Sequence, residues 1–414
     1  MQQKVLVIED SKTGMKVMQN LIKNSNLKPV CAYSLTEAKH VFSSSAPEEF
    51  LCAVVDYNLP DAPDGQAIDF AIESFLPTIV VTGYMDDKTR TTILAKDVVD
   101  YITKENTQVY EYLSRLLSRL EKNKKVGVLV VDDSRVSRNS MISLLRRHNF
   151  ITYEANDGQQ GLEALRRYNN IKLVIADENM PVMSGLEMVS ELRRTHKKED
   201  LGIIGISSDT SSGLSARFIK TGANDYLHKP YCHEEFFCRV MQNLEHLENI
   251  EAIRRAANSD YLTGLPNRRH FFNKLNASQR LNPEQEAIAI IDIDHFKTIN
   301  DKYGHDCGDY TLKQIAKLVA SKFGAYNAAR FGGEEFCVHM SNLSLNEAYD
   351  LCEDFRQEMA NKTFLYKGDK FNCTVSIGVT AKTKRGTDAM LRTADEYLYE
   401  AKNKGRNLVV QDQS

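Results

Sequence analysis

The sequence predicts two consecutive α/β units with parallel sheets, followed by one α+β domain, and three observations carry that expectation. The apolar run Val5-Leu6-Val7-Ile8, ending in Glu9-Asp10, recurs as Val128-Leu129-Val130-Val131, ending in Asp132-Asp133, which marks an internal repeat. Helix-spaced stretches separate the strand-like runs of each copy, the pattern of a parallel sheet. After the repeat, Gly332-Gly333-Glu334-Glu335-Phe336 leads into the alternating Cys337-Val338-His339-Met340, which reads as a tight hairpin in a different kind of sheet.

Within the first copy, Cys52-Ala53-Val54-Val55 ends in Asp56, residues 78–81 end in Thr82, and Asp100-Tyr101-Ile102-Thr103 leads to Lys104. The second copy repeats the order. Leu173-Val174-Ile175-Ala176 ends in Asp177, residues 203–206 end in Ser207, and Asp225-Tyr226-Leu227-His228 leads to Lys229. In a parallel sheet the carboxyl ends of such strands converge on one edge, the expected place for a ligand. The charged stretch Leu120-Glu121-Lys122-Asn123-Lys124-Lys125 reads as a helix end and short linker.

Residues 234–257 hold no proline or glycine, and Phe236, Phe237, Val240, Met241, Leu244, Leu247 and Ile250 follow helical spacing. Such a segment could be an ordinary last helix of the second copy, but the expectation is a helix that projects, pairs with its counterpart and sets the relative position of the C-terminal domains. The third domain starts near Asp260-Tyr261-Leu262-Thr263. Its strand Ala287-Ile288-Ala289-Ile290-Ile291 ends at Asp292, a later strand is expected over 371–379, a helix over 387–402, and a short strand after Arg406. The expected domains are therefore 1–122, 123–248 with a helix continuing to about 257, and 258–414.

A chain of 414 residues is long for one hydrophobic core and suits about three domains. Its 42% hydrophobic and 26% charged residues are those of a soluble globular protein, and a net charge of -3 gives no general attraction to nucleic acid or anionic membrane. The eight cysteines stand without close metal-type pairs, which favours reduced, packed thiols. Neither a secretory hydrophobic region nor a transmembrane run is present, so a cytoplasmic location without membrane insertion is expected.

An acidic pair after a first strand and an aspartate after a third can chelate Mg²⁺, leaving the aspartate to attack a phosphoryl donor. A lysine and a hydroxyl would then hold the phosphoryl oxygens. That set occurs twice, with the same separation from Thr82 to Lys104 as from Ser207 to Lys229. On these residues, stretches 4–120 and 125–247 resemble response-regulator receiver domains, which implies flavodoxin-like sheets. The resemblance implies phosphoacceptors at Asp56 and Asp177, and Mg²⁺ carboxylates at Glu9, Asp10, Asp132 and Asp133 beside them. It also implies phosphate contacts from Thr82, Lys104, Ser207 and Lys229, and aromatic switch positions at Tyr101 and Tyr226. The second copy fits better. In the first, the loop after Asp56 carries one extra residue, the helix region before Thr82 is shorter, and Glu105 replaces the proline that follows Lys229. Those departures question the ordinary output face of the first copy.

The third domain carries Asp292-Ile293-Asp294-His295-Phe296-Lys297-Thr298-Ile299-Asn300-Asp301, then Tyr303-Gly304-His305-Asp306-Cys307-Gly308-Asp309, then the Gly-Gly hairpin after Arg330-Phe331. In that order these motifs resemble a GGDEF-type diguanylate cyclase over 261–406, and the whole chain a receiver-receiver-GGDEF regulator with a nucleotide-cyclase-like α+β domain. The resemblance implies Mg²⁺, with Mn²⁺ as an alternative, bound by Asp292, Glu334 and the Ile293 carbonyl. It implies guanine contacts from Asn300 and Asp309, and substrate contacts from Phe296, Lys297, His305, Lys402 and Arg406. Glu335 either joins the metal or helps deprotonate the ribose. Expected partners are GTP, cyclic di-GMP as product, a histidine kinase or phosphotransfer protein, and a second copy of the chain. The rival is an inactive scaffold that binds GTP or a cyclic dinucleotide. Phe323-Gly324-Ala325-Tyr326 stands where many relatives carry the Arg-x-x-Asp that binds product, so product inhibition through that site is expected to be weak or absent.

Overall fold

Buried-strand runs alternating with amphipathic helices build the first sheet from β1 (Lys4–Ile8), β2 (Lys28–Ala32), β3 (Phe50–Asp56), β4 (Thr78–Thr82) and β5 (Asp100–Thr103). All pairs are parallel, in the order β2-β1-β3-β4-β5. The intervening helices are α1 (Lys12–Asn24), α2 (Leu35–Ser43), α3 (Gln66–Glu73), α4 (Asp87–Leu94) and α5 (Gln108–Asn123). Residues of α1 and α5 cover one face of this sheet and those of α2 and α3 the other, which is why its strands are apolar on both sides. The structure is a computed structural model that describes residues 2–83, 86–104, 108–209, 213–277, 285–381 and 386–412. Glu105 lies outside them.

The second sheet repeats the plan with β6 (Gly127–Val131), β7 (Ile151–Ala155), β8 (Ile171–Asp177), β9 (Gly202–Ser207) and β10 (Asp225–His228), in the order β10-β9-β8-β6-β7. Its helices are α6 (Arg135–Arg147), α7 (Gly158–Arg167), α8 (Gly185–Thr195), α9 (Leu214–Thr221) and α10 (His233–Asn258). Local signals start several of them. Ser134 Oγ accepts from Ser137 N, and Ser184 with Glu187 forms a reciprocal capping box. As the shorter sequence before Thr82 predicts, α3 has 8 residues where α8 has 11.

Both sheets belong to one compact unit, Met1–Ile250. Arg119 of α5, itself buried, pairs with Glu248 of α10, and Arg147 pairs with Asp97. Tyr101 Oη donates to Glu234 Oε1 at 3.1 Å, and Arg90 pairs with the same glutamate. The β5 edge of the first copy therefore faces the start of α10. Phe236, Phe237, Val240, Leu244 and Leu247 bury the first part of α10 in the second core, whereas the helix is exposed over 251–257.

His148, 3% exposed, stacks on Phe237 with ring centroids 3.5 Å apart. Burial, with His233 and Arg147 nearby, pulls its imidazole down from 6.5 to about 3. The folded value lies below the unfolded one, so the neutral ring contributes stability above pH 6.5 that is lost as pH falls toward 3. Going from pH 7 to pH 5 is expected to cost the Met1–Ile250 unit about 2 kcal/mol through this group. Urea unfolding at the two pH values checks this, and His148→Gln should flatten the difference.

The second unit, Glu251–Ser414, holds an antiparallel-rich sheet. After α11 (Arg268–Ala277) come β11 (Glu286–Ile293), α12 (Phe296–Tyr303), α13 (His305–Phe323), β12 (Asn327–Gly332), β13 (Glu335–Ser341) and α14 (Leu345–Asn361). Then follow β14 (Phe364–Tyr366), β15 (Asp369–Phe371), β16 (Val375–Ala381), α15 (Thr387–Asn403) and β17 (Val409–Gln411). The order is β12-β13-β11-β16-β17, with β14 and β15 as a separate hairpin. The strand expected over 371–379 is thus two strands: Phe371 closes the small hairpin, and the chain re-enters the sheet at Val375. The run ending at Asp292 also extends one residue further, to Ile293. Along β11, Ala287, Ala289, Ile291 and Ile293 pack with α13 and α14, while Ile288 and Ile290 pack with α11 and α15. Period-two alternation therefore sends Asp292 to the α15 side.

Candidate active site

Asp292 sits at the carboxyl end of β11, 4% exposed, with Glu335 opposite it in the β11–β13 ladder. Between β12 and β13 the chain turns through Gly332 and Gly333 at φ 145° and 50°, conformations that glycine adopts without steric cost. Arg330 braces this turn. Its guanidinium donates to the Gly333 carbonyl at 2.6 and 3.1 Å and to Asp260 Oδ1 at 2.8 Å. Burial works against the Asp260 carboxylate, but bonds from Thr263 and Arg330 outweigh it and hold its pKa below the usual range.

Glu334, on the hairpin, lies in the field of Asp292. Burial first, and Asp292 second, raise its pKa. Burial likewise raises Asp292 above its ordinary value, against the opposing pull of Lys402, whose Nζ is 2.9 Å from Asp292 Oδ2. Arg406 also acts on Asp292. The fold thus gathers Asp292, Glu334, Lys402 and Arg406 from β11, the hairpin, the end of α15 and the turn after it. Two partly desolvated carboxylates with oxygen donors alone fit a hard divalent cation, which would relieve their mutual repulsion.

A second cluster forms where α12 meets α13. A Cβ at Gly308 would overlap Asn300 Oδ1 and lie 3.2 Å from Cζ of the buried Phe296, so the missing side chain leaves room for the Asn300 carboxamide. Asp309 follows on the exposed side of α13, and Lys297 is exposed on the first turn of α12. His305 opens α13 and lines a separate cavity of about 290 Å³ with Tyr366, Lys367 and Asp369. The sequence reading assigned no role to Asp260, Asp294, Gly308 or Arg330. All four lie within its quoted motifs, so only their contacts were missing.

In the first receiver-like sheet the ligand oxygens of Glu9, Asp10 and Asp56 lie within 4.8 Å of one another. Lys104 Nζ reaches Asp56 Oδ2 at 2.6 Å and Glu9 Oε2 at 2.8 Å, and Thr82 is buried at the end of β4. In the second, Lys229 Nζ lies 2.7 Å from both Asp132 Oδ2 and Asp177 Oδ1, Ser207 is buried, and Asp133 is exposed. Burial raises the Asp177 pKa despite Lys229. Burial raises the Tyr226 phenol above its ordinary pKa, with Ser207 pulling the other way.

Residues 128–241 match the response regulator receiver domain family, and residues 257–408 match the diguanylate cyclase GGDEF domain family. The chain belongs to the GGDEF response regulators. A solved two-component system response regulator/GGDEF domain protein is 38% identical, with TM-score 0.54, covering 60% of this chain and 100% of that one. Response regulator PleD of Caulobacter vibrioides is 30% identical over 298 residues, 68% of this chain and 65% of PleD, so the chain spans under two thirds of that relative. Diguanylate cyclase A of Treponema denticola is 37% identical over 171 residues, 39% of this chain and 46% of that protein. The third domain of this GGDEF response regulator is thus homologous to diguanylate cyclases. Among the described residues, no helix is long and apolar enough to cross a membrane.

Proposed function

We propose that the chain is a diguanylate cyclase that converts two GTP to cyclic di-GMP and two pyrophosphate as a homodimer gated by its receivers. The observation that carries this reading is the meeting of Asp292, Glu334 and Lys402, in the same unit as the close packing of the Asn300 carboxamide on Gly308. In the reaction, the 3′-oxygen of one GTP attacks the α-phosphorus of another and pyrophosphate leaves, twice in opposite senses. Each domain presents one GTP, so two copies must face each other.

Asp292, Glu334 and the Ile293 carbonyl would hold Mg²⁺ or Mn²⁺, which when bound supplies positive charge against the phosphate oxygens. Lys402 and Arg406 neutralise the triphosphate, Arg406 with a planar fork suited to phosphate, and Lys297 adds charge from α12. Asn300 both donates to and accepts from guanine, while Asp309 accepts from its N–H groups. Glu335, exposed across from Asp292, takes the ribose proton or completes the cation site.

Phosphoryl transfer to Asp177 and Asp56 from a histidine kinase or phosphotransfer protein would be stabilised by Lys229 and Lys104 and by Ser207 and Thr82. The exposed end of α10 is suited to pairing between copies, and receiver boundaries at 1–122 and 123–248 accord with the two sheets. Purified protein given GTP and Mg²⁺, with and without beryllofluoride, should form cyclic di-GMP faster as its mass in solution doubles. Folded, dimeric protein that makes no product in either state would instead favour a nucleotide-sensing scaffold.

A further inference from the structure

We propose that Asp294 is a positioning residue for the phosphate-binding turn that carries Arg406, an inference that rests on the cyclase reading. Asp294 follows the end of β11 and is 3% exposed. Its carboxylate accepts from Thr374 Oγ1 at 2.7 Å, Ser376 Oγ at 2.6 Å and Asn407 N at 3.0 Å. None of these partners is a cation. A buried carboxylate without one is costly, and a site that needed only packing would be better filled by an apolar side chain.

What that carboxylate holds is a strained turn. Gly405, Arg406 and Asn407 have φ of 115°, 67° and 47°; glycine adopts the left-handed region freely and asparagine tolerates it, but for Arg406 it is unfavourable unless the surroundings enforce it. Three contacts enforce it here. Arg406 N donates to the Ala401 carbonyl at 3.1 Å, Asp294 takes Asn407 N, and Arg356 Nη1 of α14 donates to Asn407 Oδ1 at 2.8 Å. The turn lies between Lys402, which reaches Asp292, and β17, which pairs with β16. Asp294 therefore joins the start of the catalytic motif to the turn that presents the Arg406 guanidinium, across 113 residues of sequence. An acceptor-only group suits the position because all three neighbours donate. Asparagine could accept the bonds from Thr374 and Asn407 and donate to the Ser376 hydroxyl, so it would preserve the geometry while losing the charge.

The test uses the full chain and two readouts. In Asp294→Ala, the Asn407 amide should exchange with deuterium at least about tenfold faster, and KM for GTP should rise about tenfold with kcat changed less than about threefold. Asp294→Asn should restore most of both. In an Arg406→Ala background, Asp294→Ala should add less than about twofold to KM, because the group it positions is gone. If Asp294→Ala does not fold, Arg356→Ala loosens the same asparagine from the other side and should raise KM about threefold. Unchanged exchange, fully multiplicative effects in the double variant, or an asparagine variant as impaired as alanine would overturn the proposal. Failure of the unaltered chain to bind a non-hydrolysable GTP analogue would overturn the cyclase reading instead, and exchange at Asn407 would still report on the turn.

Discussion

Glu334→Gln and Asp292→Asn are each expected to lower cyclic di-GMP formation by about 10³-fold or more, without lowering the melting temperature of the nucleotide-free protein. Loss of turnover follows from removing an anionic oxygen where a divalent cation and a triphosphate must be held. The stability result follows from the sign of the pKa shifts. Both carboxyls are raised, Asp292 by burial and Glu334 by burial and then Asp292. A raised folded value means the neutral form contributes stability at low pH that is lost as pH rises through it. Burial makes each carboxylate costly in its charged form, and neutral isosteres remove that cost, the usual opposition between stability and function at such sites. The same shifts predict that the Mg²⁺ needed for half-maximal activity rises as pH falls, because the cation competes with protons held more tightly than usual. Thermal melts and product assays on the two variants decide the matter. A melting temperature several degrees lower would give these carboxylates a structural role.

Gly308→Ala is expected to reduce kcat/KM for GTP by about 30-fold, roughly the loss of one well-placed hydrogen-bonding side chain. The substitution lies in a helix, where alanine is intrinsically favoured over glycine by about 1 kcal/mol, so helix weakening cannot account for a loss. Its Cβ would occupy the space of Asn300 Oδ1 and crowd Phe296. Discrimination between GTP and ATP should fall with it. The double variant Asn300→Ala/Gly308→Ala should be no worse than Asn300→Ala alone, since the clash and the lost contact are the same event. An unchanged KM for GTP in Gly308→Ala would remove Asn300 from the guanine site.

Much of the fold was legible because its signals are local. Apolar runs closed by Asp56, Asp177 or Asp292 report a buried strand and the residue at its end, whatever packs around them. The Gly-Gly turn depends only on the residues immediately around it. The expected strand over 371–379 misled because period alone cannot tell one strand from two when Asn372, Cys373 and Thr374 between them leave the ladder. The placement of the first parallel sheet was illegible for another reason. Tyr101 meets Glu234, and Arg119 meets Glu248, only because two helix-covered sheets settle in one relative orientation.

By itself, then, the sequence determined the doubled parallel sheet, the acidic strand ends and the hairpin carboxylates, since each is written in contiguous residues with a fixed period. Only the tertiary structure decided that Lys402 reaches Asp292, that Gly308 makes room for Asn300, and that Asp294 holds Asn407. Those contacts join residues on separate elements, and which elements meet is set by the burial of whole faces, a property no local pattern contains.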